Sequence, residues 1–296
     1  MNNELKKFIL FLKFELRLST NTVYSYENDL NKYIIFLKDV KNINNIQSID
    51  YNSIREYIAH LTKNNYKPSS VNRNISSIKK FHLYLFDNEI SNSNPSELLE
   101  SQKSRRNFPN TLSVLEIEQI FDIVKTETSI GVRDLAILSL LYSSGMRVSE
   151  LINLEFSNLF LEEEYVKIMG KGKKERLVPI GLKAKQNLIN YIEKARIRFT
   201  DNNSNGCIFL SYRSKPMTRM AIFNLIKKYC LLSGIDKQVS PHTFRHSFAT
   251  HMLEGGADLR IVQEILGHEN INTTEIYTHL DRTYLKEVHK LCHPRG

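Results

Sequence analysis

Tyr165-Val166-Lys167-Ile168-Met169-Gly170-Lys171-Gly172-Lys173-Lys174-Glu175-Arg176-Leu177-Val178-Pro179-Ile180 is a short β-prone stretch in a 296-residue chain that otherwise reads as helical. Its two β-prone runs, 165–169 and 176–180, flank a Gly-Lys-Gly-Lys-Lys centre, the pattern of a hairpin with a basic tip. That centre lacks the G-x-x-x-x-G-K-[ST] spacing of a nucleotide-binding loop. Upstream, apolar residues recur at helical spacing over 115–124 and 132–142, until Gly145 breaks the pattern. Downstream, helices are expected from Leu182 to the end of the chain. Together these stretches make a helical domain carrying one small β element, beginning near Leu112.

The first hundred residues form a separate helical pattern. Phe8, Ile9, Phe11, Leu12 and Phe14 make one apolar face, and Tyr24, Tyr26, Leu30, Tyr33, Ile34 and Leu37 another. Ser19 and Thr20 stand where the second helix needs a cap. Two further helices are expected over 53–63 and 69–86, the latter with Val71, Ile75, Ile78, Phe81 and Leu85 in register. Punctuation over 91–95, and then a stretch with Lys103, Arg105 and Arg106, reads as a basic linker or simply as a solvated loop. The expected architecture is mainly α and two-domain, with boundaries at 1–107 and 108–296.

Lys and Arg total 41 against 32 Asp and Glu, a formal charge of +9 spread over both halves. A densely negative partner such as nucleic acid suits that balance. Cys207, Cys230 and Cys292 are few and far apart, which suggests neither a disulfide framework nor a spaced zinc site. The N-terminus lacks a signal-peptide pattern, and no apolar run reaches the roughly 20 residues of a membrane span. A soluble cytoplasmic protein with no membrane partner is therefore expected.

The residues that carry chemistry lie in the second half. In Ser240-Pro241-His242-Thr243-Phe244-Arg245, serine suits a helix N-cap and proline the first helical position. His242 then falls in the first turn and Arg245 at i+3, beside the unpaired amides of a helix start that favour an anion. Read alone, this is also the pattern of a capped surface helix. Leu266-Gly267-His268 supplies another imidazole, Tyr277 follows nine residues later, and Gly145-Met146-Arg147-Val148-Ser149-Glu150 lies upstream. Singly, Tyr277 reads as a packed aromatic, Lys171 as a turn lysine and His268 as a core histidine. His242 and His246 are four apart, but no Glu follows His242 as an H-E-x-x-H zinc site requires.

Taken together, Arg147, Lys171, His242-x-x-Arg245, His268 and Tyr277 stand in the order and approximate spacing of the tyrosine recombinase (phage integrase) family, which the chain resembles over its full length. The helical N-terminal half resembles the core-binding, SAM-like domain of that family. The ending, residues 289–295, resembles Xer-type members, and the chain begins almost directly with the core-binding helices rather than with an arm-binding domain. The resemblance implies a DNA clamp of two domains that cuts and rejoins double-stranded DNA through a covalent 3′-phosphotyrosine, without metal or cofactor.

The chemistry explains why these residue types are needed. In-line attack on a phosphodiester builds charge on the nonbridging oxygens, which Arg147 and Arg245 could clamp with paired planar hydrogen bonds. Tyr277, a phenol with a reference pKa of about 10, must lose its proton as it attacks. His242, kept neutral by the helix N-terminus, is the expected base. An ammonium on the hairpin tip, Lys171 or else Lys173 or Lys174, would deliver a proton to the leaving 5′ oxygen. His268 would donate to the phosphate, and Glu150 would orient Arg147.

The implied partners are DNA and a homo- or hetero-tetrameric synapse, with a second Xer recombinase and a cell-division DNA translocase as further candidates. Residues 280–291 could make the subunit contact or close the domain's own core. The implied role is resolution of chromosome dimers at dif-like sites. An element-borne integrase or invertase, a type IB topoisomerase and a catalytically idle architectural protein are the alternatives.

Overall fold

In the computed structural model, residues 1–102, 110–170, 175–201, 206–267 and 282–296 are described. The expected basic linker, the hairpin tip with Lys171, and the segment bearing His268 and Tyr277 lie outside them. The chain divides into two units, Met1–Asn107 and Phe108–Gly296.

The first unit is four helices: α1 (Asn2–Phe14), α2 (Thr20–Asp39), α3 (Tyr51–Lys63) and α4 (Pro68–Asp87). Local chemistry sets their starts. The Ser19 hydroxyl accepts from the Thr22 amide at 3.2 Å, and the Asp50 carboxylate accepts from the Ser53 amide at 2.8 Å. Pro68 opens α4 at a position whose N–H would have no helical partner. The apolar faces meet in one core that includes Phe8, Leu12, Leu30, Tyr33, Leu37, Ile54, Ile78, Phe81 and Leu85. Phe8 and Phe81 pack edge to face at 5.3 Å between centroids, an arrangement their ring quadrupoles favour.

The second unit contains α5 (Val114–Asp122), α6 (Ser129–Ser144), α7 (Val148–Ile152), β1 (Leu159–Phe160), β2 (Tyr165–Met169), β3 (Glu175–Pro179), α8 (Leu182–Asn190), α9 (Arg219–Leu232), α10 (Pro241–Glu254), α11 (Leu259–Leu266) and α12 (Arg282–Cys292). Helix α6 is the axis of the unit. Ala136, Ile137, Leu138, Leu140, Leu141 and Tyr142 are all buried, so it is covered all round rather than along one stripe.

The expected hairpin forms with Val166 opposite Val178 and Ile168 opposite Arg176, and a short third strand, β1, pairs with β2. Helices resume from Leu182 as expected, but one stretch among them is not helical. Residues 206–218 make turns and two isolated bridges, Glu155 with Cys207 and Leu210 with Pro216. Pro216 cannot donate to a helical ladder, and Ser214 adopts φ 56°, outside the right-handed helical region. Helix α12 packs on the unit's own core, with Leu285 buried in it and Val288 and Cys292 against it.

Candidate active site

Three chain segments converge at the end of α11, and each is brought there by a local sequence feature. The first is the end of α6. Gly145 closes that helix at φ 57°, in the left-handed region. A Cβ on Gly145 would sit 2.5 Å from Phe248 and 2.8 Å from Leu266, so glycine is also what lets α6 approach α10 and α11 so closely. The turn that follows delivers Arg147 to the N-cap of α7, where the Glu150 carboxylate accepts from the Arg147 amide at 2.7 Å and from its Nη1 at 3.0 Å.

The second segment is the start of α10. Ser240 caps it as expected, its hydroxyl accepting from the Thr243 amide, with Pro241 at the first helical position. Arg245 is 7% exposed and donates from Nη1 to the Gly145 carbonyl at 2.7 Å and from Nη2 to the Leu266 carbonyl at 2.6 Å. It is thus held by backbone oxygens rather than lying over the open amides of its own helix, as the i+3 spacing had suggested. His242, in the first turn of the same helix, is exposed at the surface.

The third segment is α11 itself, which ends on Gly267 at φ 66°. Three consecutive carbonyls at this helix end accept from three guanidiniums: Ile265 from Arg176 Nε at 3.0 Å, Leu266 from Arg245, and Gly267 from Arg147 Nη2 at 3.3 Å. The negative end of a helix dipole favours such cations. Arg147 keeps 39% of its side chain exposed, so it remains within reach of a ligand.

The electrostatics follow from this crowding. Burial, then the charge of Arg147, lowers the Arg245 pKa to about 10, which leaves it a cation at neutral pH. Burial alone would raise the Glu150 carboxyl. Hydrogen bonds and charge from Arg176, joined by the amide and guanidinium of Arg147, outweigh it and hold the group below its usual value. His242 is lowered by burial first, then by the charges of His246, Arg245 and Arg147. These causes act in the same direction as the helix N-terminus expected from sequence.

Of the six residues singled out in the sequence, Arg147, His242 and Arg245 are brought together, while Lys171, His268 and Tyr277 fall outside the described residues. Arg176 was not singled out. Its signal was available: with period-two alternation it shares the inward face of β3 with buried Val178 and stands opposite buried Ile168. A charge in such a register needs a partner. Among the described residues, no cluster of three His, Cys, Asp or Glu side chains could hold a metal ion, and no helix is long and apolar enough to cross a membrane.

Comparison with known proteins places the chain in a family. The phage integrase family model matches residues 110–283, and the model for its N-terminal SAM-like domain matches residues 5–89. The tyrosine recombinase XerD of Chlorobaculum tepidum is 42% identical over 297 residues, covering 99% of this chain and 96% of that protein. That of Halalkalibacterium halodurans is 38% identical over 296 residues, covering 100% and 99%. The fold matches a crystal structure of the XerH site-specific recombinase bound to difH substrate, at TM-score 0.70, 21% identity and coverage of 97% and 83%. Two family models in series and full-length relatives at this level of identity make the chain a member of the phage integrase family, a tyrosine recombinase.

Proposed function

We propose that this recombinase exchanges strands between two double-stranded DNA sites through a covalent link to Tyr277, with the arginines at the end of α11 holding the scissile phosphate. One observation carries the reading. Arg147, Arg176 and Arg245 converge on one helix end, while a single carboxylate, Glu150, is hydrogen-bonded to them among the described residues. A buried excess of cations is unfavourable unless an anion completes it, and a nonbridging phosphate oxygen pair matches the planar donors of guanidinium.

In the proposed step the Tyr277 oxygen attacks phosphorus, forming the phosphotyrosine bond as the bond to the 5′ oxygen breaks. His242, depressed in pKa and so neutral near pH 7, takes the phenolic proton. Lys171 gives a proton to the departing 5′ oxygen. Arg147, Arg245 and His268 stabilise the charge that grows on the nonbridging oxygens. A 5′ hydroxyl from another strand then reverses the step. The ester bond is conserved in the covalent link, so rejoining needs no nucleotide hydrolysis.

The first unit is assigned to the duplex as a core-binding domain and the second to catalysis. The Xer-type resemblance of the chain's ending supports a dif-like target, a tetrameric synapse with a second recombinase or further copies of this chain, and action in the cytoplasm during chromosome segregation. A cell-division DNA translocase is the proposed activator.

The test is incubation with a dif-like suicide duplex nicked near the cleavage point, read on a denaturing gel for wild type and Tyr277→Phe. A covalent protein–DNA band in wild type alone is expected. A band of equal strength with Tyr277→Phe would overturn the assignment of the nucleophile.

A further inference from the structure

We infer that Arg176 is a positioning residue for the phosphate clamp, fixing Arg147 through the carboxylate they share; the inference rests on the reading of Arg147 and Arg245 as that clamp. Arg176 stands in β3, and its guanidinium reaches two other segments at once. Nη1 and Nη2 donate to the two oxygens of Glu150 at 3.0 and 2.9 Å, and Nε donates to the Ile265 carbonyl at 3.0 Å. Glu150 in turn accepts from the amide and Nη1 of Arg147, and the Gly267 carbonyl accepts from Arg147 Nη2. The two supports of the Arg147 guanidinium are therefore Glu150 and the end of α11. Arg176 holds both of them.

Packing strengthens the same link. A Cβ placed on Gly267 would lie 3.1 Å from Cδ, Nε and Nη1 of Arg176, so the guanidinium lies against the backbone immediately before His268. Arg176 itself is 15% exposed and Glu150 6%, which keeps competing water away from the pair. The fork shape is essential to the arrangement. A lysine offers a point charge that could meet Glu150 or the Ile265 carbonyl, but it cannot reproduce the bidentate pair and the carbonyl bond together. Without that fork, the Glu150 carboxylate is free to turn with Arg147, and a displacement of about 1 Å at a reacting centre costs on the order of 100-fold in rate. Because Arg176 acts through Glu150 and not on DNA, the loss falls on the chemical step rather than on affinity.

The experiment compares wild type, Arg176→Lys and Arg176→Gln in single-turnover cleavage of the suicide duplex, with DNA affinity and thermal melting measured in parallel. A second duplex carries sulfur in place of the bridging 5′ oxygen, a leaving group that departs without a proton. Both variants are expected to bind DNA within about threefold of wild type and to cleave about 100-fold more slowly. Lysine is expected not to rescue, and the sulfur substrate not to restore the rate.

Wild-type cleavage by Arg176→Lys would overturn the proposal, because charge alone would then suffice. Recovery on the sulfur substrate would overturn it too, by placing Arg176 with the leaving-group proton. So would a loss of affinity equal to the loss of rate. If Arg176→Gln melts below the assay temperature, Arg176→Lys decides the matter. Absence of any adduct with wild type would instead overturn the assignment of Tyr277 and its clamp.

Discussion

Each unit of the molecule buries a carboxylate bound by arginine, and the two arrangements differ in what they leave over. In the first unit Asp29, 1% exposed, accepts from Arg73 Nε at 2.8 Å and Nη2 at 2.9 Å, with the Ser77 hydroxyl at 3.3 Å. One anion meets one cation, and the pair ties α2 to α4. In the second unit Glu150 is shared by Arg147 and Arg176, and Arg245 is held by the Gly145 and Leu266 carbonyls. The first arrangement is electrically closed and therefore structural. The second carries a surplus of cations, which is what the proposed phosphate clamp requires.

The largest expected effect separates the two directly. Arg245→Ala should slow single-turnover cleavage about 1000-fold in protein that remains folded, a loss beyond any lowering of the melt from freeing the Gly145 and Leu266 carbonyls. Arg73→Met should do the reverse. It leaves Asp29 buried with only hydroxyl support, so urea unfolding of the first unit should show a loss of about 3 kcal/mol, with cleavage unchanged once the protein is folded. If Arg73→Met abolished cleavage in folded protein, or folded Arg245→Ala cleaved like wild type, the contrast between a closed pair and an open cluster would collapse.

Two buried histidines of the second unit, each hydrogen-bonded to backbone, are closed in the same sense as Asp29 and should follow Arg73. His289 and His293 stack with centroids 4.8 Å apart and donate from Nε2 to the Ser143 and Tyr142 carbonyls. Burial lowers the His289 pKa to about 4, and burial together with the charge of His289 pushes His293 well below the usual histidine value. A histidine whose folded pKa lies below its unfolded value is neutral in the native state at neutral pH. As pH falls from about 6.5 towards 4, the unfolded chain binds a proton that the folded chain refuses, and stability is lost. His289 alone should account for about 2 kcal/mol of that loss at pH 5. Urea melts between pH 7 and 5 should therefore show a shallower slope for His289→Phe than for wild type. An unchanged slope would mean the group is not held neutral.

The smallest expected effect comes from the cap of α5. The Ser113 hydroxyl accepts from the Glu116 amide at 3.2 Å while Glu116 accepts from the Ser113 amide at 2.7 Å. Ser113→Ala should lower the stability of the second unit by about 1 kcal/mol and leave cleavage alone. A fall in cleavage beyond the effect on folding would show that α5 serves the site.

The parts of the molecule governed by neighbours along the chain were legible in the sequence. Ser19, Ser240 and Pro241 open helices, Gly145 ends one, and Val166 and Ile168 alternate in a strand, each for reasons complete within a few residues. So were Arg147, His242 and Arg245, whose order and spacing carried the family resemblance. What escaped depends on distant partners. Arg176 acquires its meaning from Glu150 and from the Ile265 carbonyl, 89 residues away in the chain. The binding of Arg245 to the end of α11 rather than to its own helix start depends on Gly145 allowing close approach, which no helical periodicity announces. His289 and His293 contributed only to a resemblance of the ending, because a histidine facing a core looks like any other until its neighbours are known. The bridge at Leu210 and Pro216 likewise depends on pairing that a reading by local propensity takes for helix.

The surplus of cations at the end of α11 is most directly tested by removing the charge it is said to meet. Wild type and Arg245→Ala would be offered two suicide duplexes, one with the natural scissile phosphate and one with a methylphosphonate that lacks a charged nonbridging oxygen. Wild type should cleave the phosphate about 100-fold or more faster than the methylphosphonate, whereas Arg245→Ala should treat the two nearly alike. If Arg245→Ala kept the full wild-type preference for the charged phosphate, the buried guanidinium would not be neutralising it, and the arginine cluster would be a structural assembly like the pair at Asp29.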